Sequence, residues 1–238
     1  MTQCVILAGG LGTRMLPLTS MIPKSLIDVN GHPFIYYQLK WIAKHNISDV
    51  LISVGHYGQM IKDYVGDGSQ FSLKVDYVDE GENLLGTGGS LRLAYEQSKL
   101  DNNFYLTYGD SFLPIDFNEV YSSYENHNNM SLMTIFKNDN KLDNSNIMIL
   151  ENNFILYDKD YLTYPKINFS YIDYGLSILN LNVLKHYLPS GKSKLSDIFH
   201  KLSCDKLIYG HEVHDRFYEV GSFDGLNDFK NWIKNKKF

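Results

Sequence analysis

Cysteine is nearly absent: Cys4 and Cys204 are the only two in 238 residues. Cys4 begins an apolar run and Cys204 follows a helical stretch, so neither belongs to a metal-motif spacing or a disulfide framework. They read as two reduced thiols of a cytoplasmic protein. Long apolar runs are missing as well. No stretch approaches the roughly 20 residues that a membrane-spanning helix needs. The first segment, Gln3-Cys4-Val5-Ile6-Leu7-Ala8, has no charged region, extended apolar core or cleavage site, so no secretory signal is expected. Positive charge is in deficit, with 22 Lys and Arg against 27 Asp and Glu. Nucleic-acid binders usually present a basic face, so neither nucleic acid nor membrane is an expected partner. The eight histidines do not converge on a zinc-ligand spacing. His56 follows a glycine at the end of an apolar run, where it could touch a crevice. No nucleophile with an activating base is evident.

What the chain does have is alternation. Residues 3–8 form a short apolar run, and a glycine-containing loop covers 9–23. Leu26 to Val29 reads as a short strand, Asn30-Gly31 as a turn, and Pro33 as a first helical position. Ile35, Leu39 and Ile42 then recur at helical spacing. Strands are expected over 49–54, 73–78 and 104–108, and helices over 57–65 and around Leu91, Ala94 and Tyr95. This pattern predicts an α/β fold with a mostly parallel, doubly wound sheet. Right-handed crossovers would bring both glycine loops and Asp110 to the carboxyl ends of strands. Open α/β sheets bind ligands at that edge. The second half is richer in strands: 131–136, a hairpin of 147–150 and 154–157 turning at Asn152-Asn153, then 171–179, 207–213 and 216–220. A helix is expected over 195–202. Phe223, Leu226, Phe229 and Ile233 share one face of a last helix, with Ser222 as its N-cap.

Three segments carry candidate chemistry. Leu7-Ala8-Gly9-Gly10-Leu11-Gly12-Thr13-Arg14 is a glycine-dense turn after a strand, where backbone N–H groups can face a phosphate. Arg14 adds a forked cation able to grip phosphate oxygens twice. A Walker loop would need Lys-Ser or Lys-Thr after Gly12, where Thr13-Arg14 stands. A dinucleotide fingerprint would need glycine at Met15 or at Leu11. Both better-known loops are thereby set aside. Ile22-Pro23-Lys24-Ser25 places a second cation after a stiff proline. Tyr108-Gly109-Asp110 ends a strand on a carboxylate.

Leu-Ala-Gly-Gly-x-Gly-Thr-Arg followed by Pro-Lys resembles the signature of sugar-phosphate nucleotidyltransferases. Leu85-Gly86-Thr87-Gly88-Gly89-Ser90 resembles that family's base-binding loop, Gly109-Asp110 its metal motif, and Glu219-Val220-Gly221-Ser222 its late acid-x-Gly-Thr motif. The resemblance implies a single Rossmann-like domain. A nucleotide-binding half would cover about 1–130, a smaller β-rich sugar-binding half about 131–222, and a last helix 223–238. It implies transfer of a nucleoside monophosphate from a nucleoside triphosphate to a sugar 1-phosphate, with Mg2+, in a monomer or homodimer. Arg14, Lys24 and Asp110 would be catalytic. Leu7, Ala8, Gly9, Gly10, Gly12, Thr13, Glu80, Gly86, Thr87 and Gly109 would join them around the nucleotide. Mg2+, a hard cation, would take Asp110 and Glu219, though most relatives place aspartate at the second position. Lys159 resembles the lysine of a Glu-Lys-Pro segment that grips the sugar phosphate, with Asp160 where proline is usual. Asp173-Tyr174-Gly175 resembles an Asn-x-Gly sugar contact.

The base stays open. Glu80 could accept from guanine N1–H and its 2-amino group, or from the single N3–H of uracil or thymine. The chain resembles short bacterial enzymes acting on heptose 1-phosphate with GTP or on N-acetylmuramate 1-phosphate with UTP, and the likeness to the heptose enzymes places GTP ahead of UTP. Two other functions compete: a cytidylyltransferase for a non-sugar phosphate such as phosphocholine, and a nucleotide-binding module without catalysis.

Overall fold

The parallel heart of the sheet follows from runs that are apolar on both faces. Strand β1 (Gln3–Leu7) is buried at every position. A strand covered on two sides must read as a continuous hydrophobic run. A computed structural model describes residues 3–127, 130–141, 144–159, 163, 167–234 and 236. After the first loop come the short pair β2 (Asp28–Val29) and β3 (His32–Pro33), then helix α1 (Phe34–Lys44). They are followed by β4 (Asp49–Val54), α2 (Gly58–Val65), β5 (Lys74–Asp79), α3 (Gly86–Glu96) and β6 (Asn103–Tyr108). β1 pairs in parallel with β4 and β6, and β4 with β5, giving the order β6-β1-β4-β5. The expected α/β fold with a mostly parallel sheet is what the chain adopts.

The second half extends that sheet by an antiparallel insertion. After β7 (Ser111–Phe112), α4 (Phe117–Asn126) and β8 (Ser131–Lys137) comes the hairpin of β9 (Ile147–Ile149) and β10 (Ile155–Tyr157). Asn152 and Asn153 make its turn with φ of 56° and 62°, a region that asparagine tolerates. β11 (Tyr171–Asn180) then lies antiparallel to both β6 and β8. The chain continues through α5 (Leu181–Leu184), α6 (Leu195–Cys204), β12 (Ile208–Val213), β13 (Tyr218–Glu219) and α7 (Phe223–Ile233). β12 is parallel to β8, and β13 pairs with β7. Among the described residues no helix is long and apolar enough to cross a membrane.

Four expectations need adjustment. Residues 24–26 form a 3-10 turn, so only Asp28–Val29 of the expected 26–29 strand is extended. Pro33 sits one residue ahead of α1, its ψ of 148° held by pairing with Asp28. The 216–220 strand shrinks to two residues, because it pairs only with the two-residue β7. Helix α4 was not anticipated. Its signals are Asp116, whose carboxylate accepts from Asn118 N at 2.8 Å as an N-cap, and buried Phe117, Val120 and Tyr124 on one face.

Helix α7 closes an aromatic cluster that backs β13. Phe229 is fully buried, with ring centroids 5.2 Å from Phe34, 5.0 Å from Phe112 and 6.0 Å from Tyr218. Truncating a buried phenylalanine costs about 3–5 kcal/mol through lost transfer energy and the cavity left behind. Phe229→Ala is therefore expected to lower unfolding free energy by about that amount in urea titration. A loss under about 1 kcal/mol would mean that the cluster does not hold this side of the molecule.

Candidate functional site

Two open clefts meet at Asp110. The first, of about 750 Å3, is lined by Leu7, Ala8, Gly9, Gly10, Lys24, Glu80, Gly86, Thr87, Gly109 and Asp110, with Ser25, Leu84, Ser90 and Tyr108. The second, of about 1600 Å3, is lined by Arg14, Asp110, Lys159, Asp173, Tyr174, Gly175 and Glu219, with Tyr108, Asn146 and Arg216 among others. Of the residues expected to hold nucleotide, sugar phosphate or metal, Gly12 and Thr13 line neither cleft; Gly12 O instead accepts from Thr19 Oγ1 at 2.8 Å, closing the first loop on itself. His56 also lies outside both, with its ring against Tyr57. Asp160 lies outside the described residues.

Backbone hydrogen bonds bind the strand ends that carry the first cleft. Ala8 N donates to Ser53 O at 2.8 Å, and Gly109 N to Leu7 O at 2.9 Å. The loop after β1 returns through the 3-10 turn at 24–26, which delivers Lys24 Nζ to Asp110 Oδ2 at 2.7 Å. The lysine side chain is 17% exposed and the aspartate 26%. Pairing at such partly covered positions fixes where both charges sit.

Several candidates also hold the fold together. A Cβ on Gly86, Gly88 or Gly89 would come 2.7–2.8 Å from atoms that include Ser193 O, Ser193 Oγ and Gly191 O. The second glycine segment is thus required by the close passage of residues 191–194, and it forms the first turns of α3 rather than a free loop. Thr87 Oγ1 accepts from Leu195 N at 2.9 Å and satisfies a helix-start donor of α6. Glu80 Oε2 accepts from Leu85 N at 2.6 Å, holding the 80–85 turn at the cleft wall.

The acidic side of the second cleft is built on β7 and β13. Val220 N donates to Asp110 O at 2.9 Å, and Glu219 pairs with Ser111. Glu219 Oε2 accepts from Gly221 N at 2.8 Å and Oε1 from Ser222 Oγ at 2.6 Å. Ser222 Oγ in turn accepts from Gly225 N at 3.0 Å, the N-cap expected for α7. Atoms of Arg14 and Asp110 lie 3.2 and 3.4 Å from where a Cβ on Gly221 would stand, with the Glu219 carboxylate closer still. Three site groups from distant parts of the chain thus converge on that glycine. Asp110 and Glu219 are hard oxygen donors on paired backbone, which suits a Mg2+ bound by one or two carboxylates plus substrate phosphates. Among the described residues no group of three or more His, Cys, Asp or Glu gathers as a self-sufficient metal nest.

Tyr108 was missed as a lining residue. Among the described residues it is, with Asp110, shared by the two clefts. Its hydroxyl donates to Asp173 Oδ2 at 3.3 Å, while Gly175 N donates to Oδ1 at 2.9 Å. Asp173 lies where the β11–β8 register breaks, between Asp173 and Ser177. Burial pushes the Asp173 carboxyl above its usual range, against the opposing pull of Gly175 N–H, the Lys159 charge and the Tyr108 hydroxyl. Burial also raises Tyr108 well above the usual tyrosine range, helped by the Asp173 charge. Tyr174 is 1% exposed and rests against Phe136 and Phe217. A glycine-aspartate motif preceded by an aromatic residue was the only sequence signal for Tyr108.

A family model described as nucleotidyl transferase matches residues 3–147, more than half of the chain. The chain belongs to that family. A D-glycero-alpha-D-manno-heptose 1-phosphate guanylyltransferase of Campylobacter jejuni is 34% identical over 118 residues, 50% of this chain and 52% of the relative. A glucose-1-phosphate cytidylyltransferase of Salmonella typhimurium is 29% identical over 153 residues, 56% of this chain and 59% of the relative. The match spans between half and three fifths of the length of these curated relatives. The crystal structure of HddC from Yersinia pseudotuberculosis complexed with GMP-PN shares the fold, with TM-score 0.77 and 22% identity over 98% of this chain and 100% of that one.

The raised Asp173 carboxyl has a consequence for stability. It binds its proton more readily in the folded state than unfolded, so the folded state loses stability as pH rises from the ordinary aspartate range through the raised folded one. Asparagine does not titrate. Asp173→Asn should therefore gain thermal stability relative to wild type as pH rises from about 4 to about 7, followed by melting temperature. A difference that is constant or moves the other way would show that the carboxylate is not held against its solvation.

Proposed function

We propose that this chain transfers a nucleoside monophosphate from a nucleoside triphosphate to a sugar 1-phosphate, releasing pyrophosphate. The observation that carries the reading is the Lys24–Asp110 ion pair, set where two clefts meet in a member of the nucleotidyl transferase family. The reaction requires two phosphate-bearing substrates held in line, with charge neutralised at the junction. The first cleft, with its glycine-rich wall, takes the nucleotide. The second takes the sugar 1-phosphate, whose oxygen attacks the α-phosphorus as pyrophosphate leaves. Lys24 stands at the seam, able to move between Asp110 and the α-phosphate. Arg14, exposed at the rim of the second cleft, closes on phosphate oxygens by the bend of its loop. Lys159 offers a cation to the sugar phosphate. Asp110 and Glu219 hold Mg2+, which when bound neutralises phosphate charge.

Glu80 and the turn it organises face the base. GTP is favoured over UTP, supported by the guanylyltransferase among the relatives; the cytidylyltransferase relative shows that the family also accommodates a third base. A sugar acceptor is favoured over phosphocholine because Lys159 and Asp173 line the second cleft together.

Pyrophosphate release tests the reading directly, with each common nucleoside triphosphate against a panel of sugar 1-phosphates and phosphocholine. Asp110→Asn and Lys24→Ala should each lower kcat/KM by about 100- to 1000-fold, the range for losing one charge-stabilising group. Glu219→Asp should keep most activity, and Glu219→Gln should lose it. Nucleotide binding without release for any acceptor would favour a non-catalytic module, and equal activity in Asp110→Asn would remove Asp110 from the reaction.

A further inference from the structure

Helix α1 lines neither cleft, yet it is bonded to the turns that carry both members of the Lys24–Asp110 pair. At its start, Phe34 N is one of the helix-end donors that find no partner inside the helix. It donates to Ile27 O at 3.0 Å. Ile27 N in turn donates to Lys24 O at 3.1 Å and closes the 3-10 turn that carries Lys24. One helical turn further on, Gln38 reaches the other member. Its Nε2 donates to Tyr108 O at 2.8 Å and to Ser111 O at 3.0 Å. Those carbonyls stand on either side of Gly109-Asp110. Nε2 carries two hydrogens, and both fasten the ends of that turn.

The amide's orientation follows from these partners. Two carbonyl oxygens can be met only by the NH2 end, so the opposite placement of oxygen and nitrogen is ruled out. Gln38 is 4% exposed, and among the described residues its Oε1 has no hydrogen-bond partner. An apolar side chain of the same length would fill this space without stranding a buried acceptor. What the amide adds is the pair of N–H bonds to the Asp110 turn. Two backbone bonds also hold that turn, Gly109 N to Leu7 O and Val220 N to Asp110 O. They join it to neighbouring segments, whereas Gln38 spans it, linking its first residue to its last through one nitrogen. A misplacement of about 1 Å can cost about 100-fold in rate, so a turn held at both ends bears on the chemistry.

Resting on the proposed transfer reaction, we infer that helix α1 sets the geometry of the Lys24–Asp110 pair from behind the clefts, with Gln38 as the positioning residue that fixes the Asp110 turn. Gln38 touches no substrate and acts through Asp110.

The test compares the full chain with two variants. Gln38→Met keeps length and packing but removes both donors. Gln38→Glu keeps the shape and, protonated against two carbonyls, one donor. With Mg2+ and the preferred substrate pair, kcat for pyrophosphate release should fall about 10- to 100-fold in Gln38→Met, the range for losing a group that supports a metal-holding side chain, and by less in Gln38→Glu. KM for each substrate should move less than kcat. Added to Asp110→Asn, Gln38→Met should cost a further factor of about 2 or less, because it acts through the residue already changed. Hydrogen exchange supplies a readout that needs no activity. In Gln38→Met the amides of Gly109 and Val220 should exchange about 10-fold faster, the scale of one lost hydrogen bond, while those of Leu51 and Ile52 in β4 hold. An unchanged kcat in Gln38→Met, or its full loss repeated on top of Asp110→Asn, overturns the positioning role. Exchange that rises equally in β4 makes Gln38 a general stabiliser and overturns it too. Faster exchange confined to the turn, in a chain that releases no pyrophosphate with any substrate pair, overturns the transfer reaction and leaves the clamp on the Asp110 turn standing.

Discussion

A lysine and an aspartate 86 positions apart meet at 2.7 Å, and the two clefts are organised around that contact. It is possible because β1 and β6 run in parallel side by side, so the loop after one and the turn after the other leave the sheet at the same edge. Ion pairs between partly exposed groups contribute little to stability, so the pair's importance is positional. It keeps a cation and a carboxylate at the seam, the carboxylate lining both clefts and the lysine the first. The neighbouring backbone bonds, Ala8 to Ser53 and Gly109 to Leu7, prevent the strand ends from spreading and shifting that contact.

The residues that line the clefts rarely do one thing. Thr87 completes the start of α6, Glu80 fastens its own turn, and Glu219 holds Gly221 and Ser222 at the start of α7. A side chain fixed by such bonds presents its remaining lone pairs in a set direction, which is how a site is kept rigid without extra machinery. Substitutions at these positions therefore change local structure and ligand contact together. Side-chain variants that keep the structural bond, such as Glu219→Asp, separate the two effects better than alanine.

The first half was legible because its signals are local and repeated. Strand β1 is a continuous apolar run, α1 keeps a helical spacing, and Lys24 follows a proline. Parallel topology then brings the glycine loops and Asp110 together by rule. The second half was legible only in pieces. No periodicity announces that β11 will insert antiparallel beside β6, because strand partners are chosen by packing far away in sequence. The link from Tyr108 to the second cleft was hidden for the same reason: its partner Asp173 lies 65 residues on. The second glycine segment illustrates a different limit. Glycines that permit a ligand to approach and glycines that permit residues 191–194 to pass close by look identical in a sequence.

The irregularity in β11 lets one sheet border two clefts. Residues 176–180 keep unbroken register with β6 and so belong to the framework that carries the first cleft. The pairing with β8 breaks between Asp173 and Ser177, and a strand break re-aims the side chains beside it. A one-residue slip in a regular strand would turn every side chain to the other face. Asp173 is the last residue paired with β8 before the break, and among the described pairings the residues between it and Ser177 have no partner on β8. Asp173 can then carry a carboxylate at the cost of partial burial without disturbing Leu176, Ile178 and Leu179, all fully buried. The second cleft can vary at this segment while the strand ends that hold Lys24 and Asp110 stay in place. Such a division suits a family whose members pair one phosphate chemistry with many sugars.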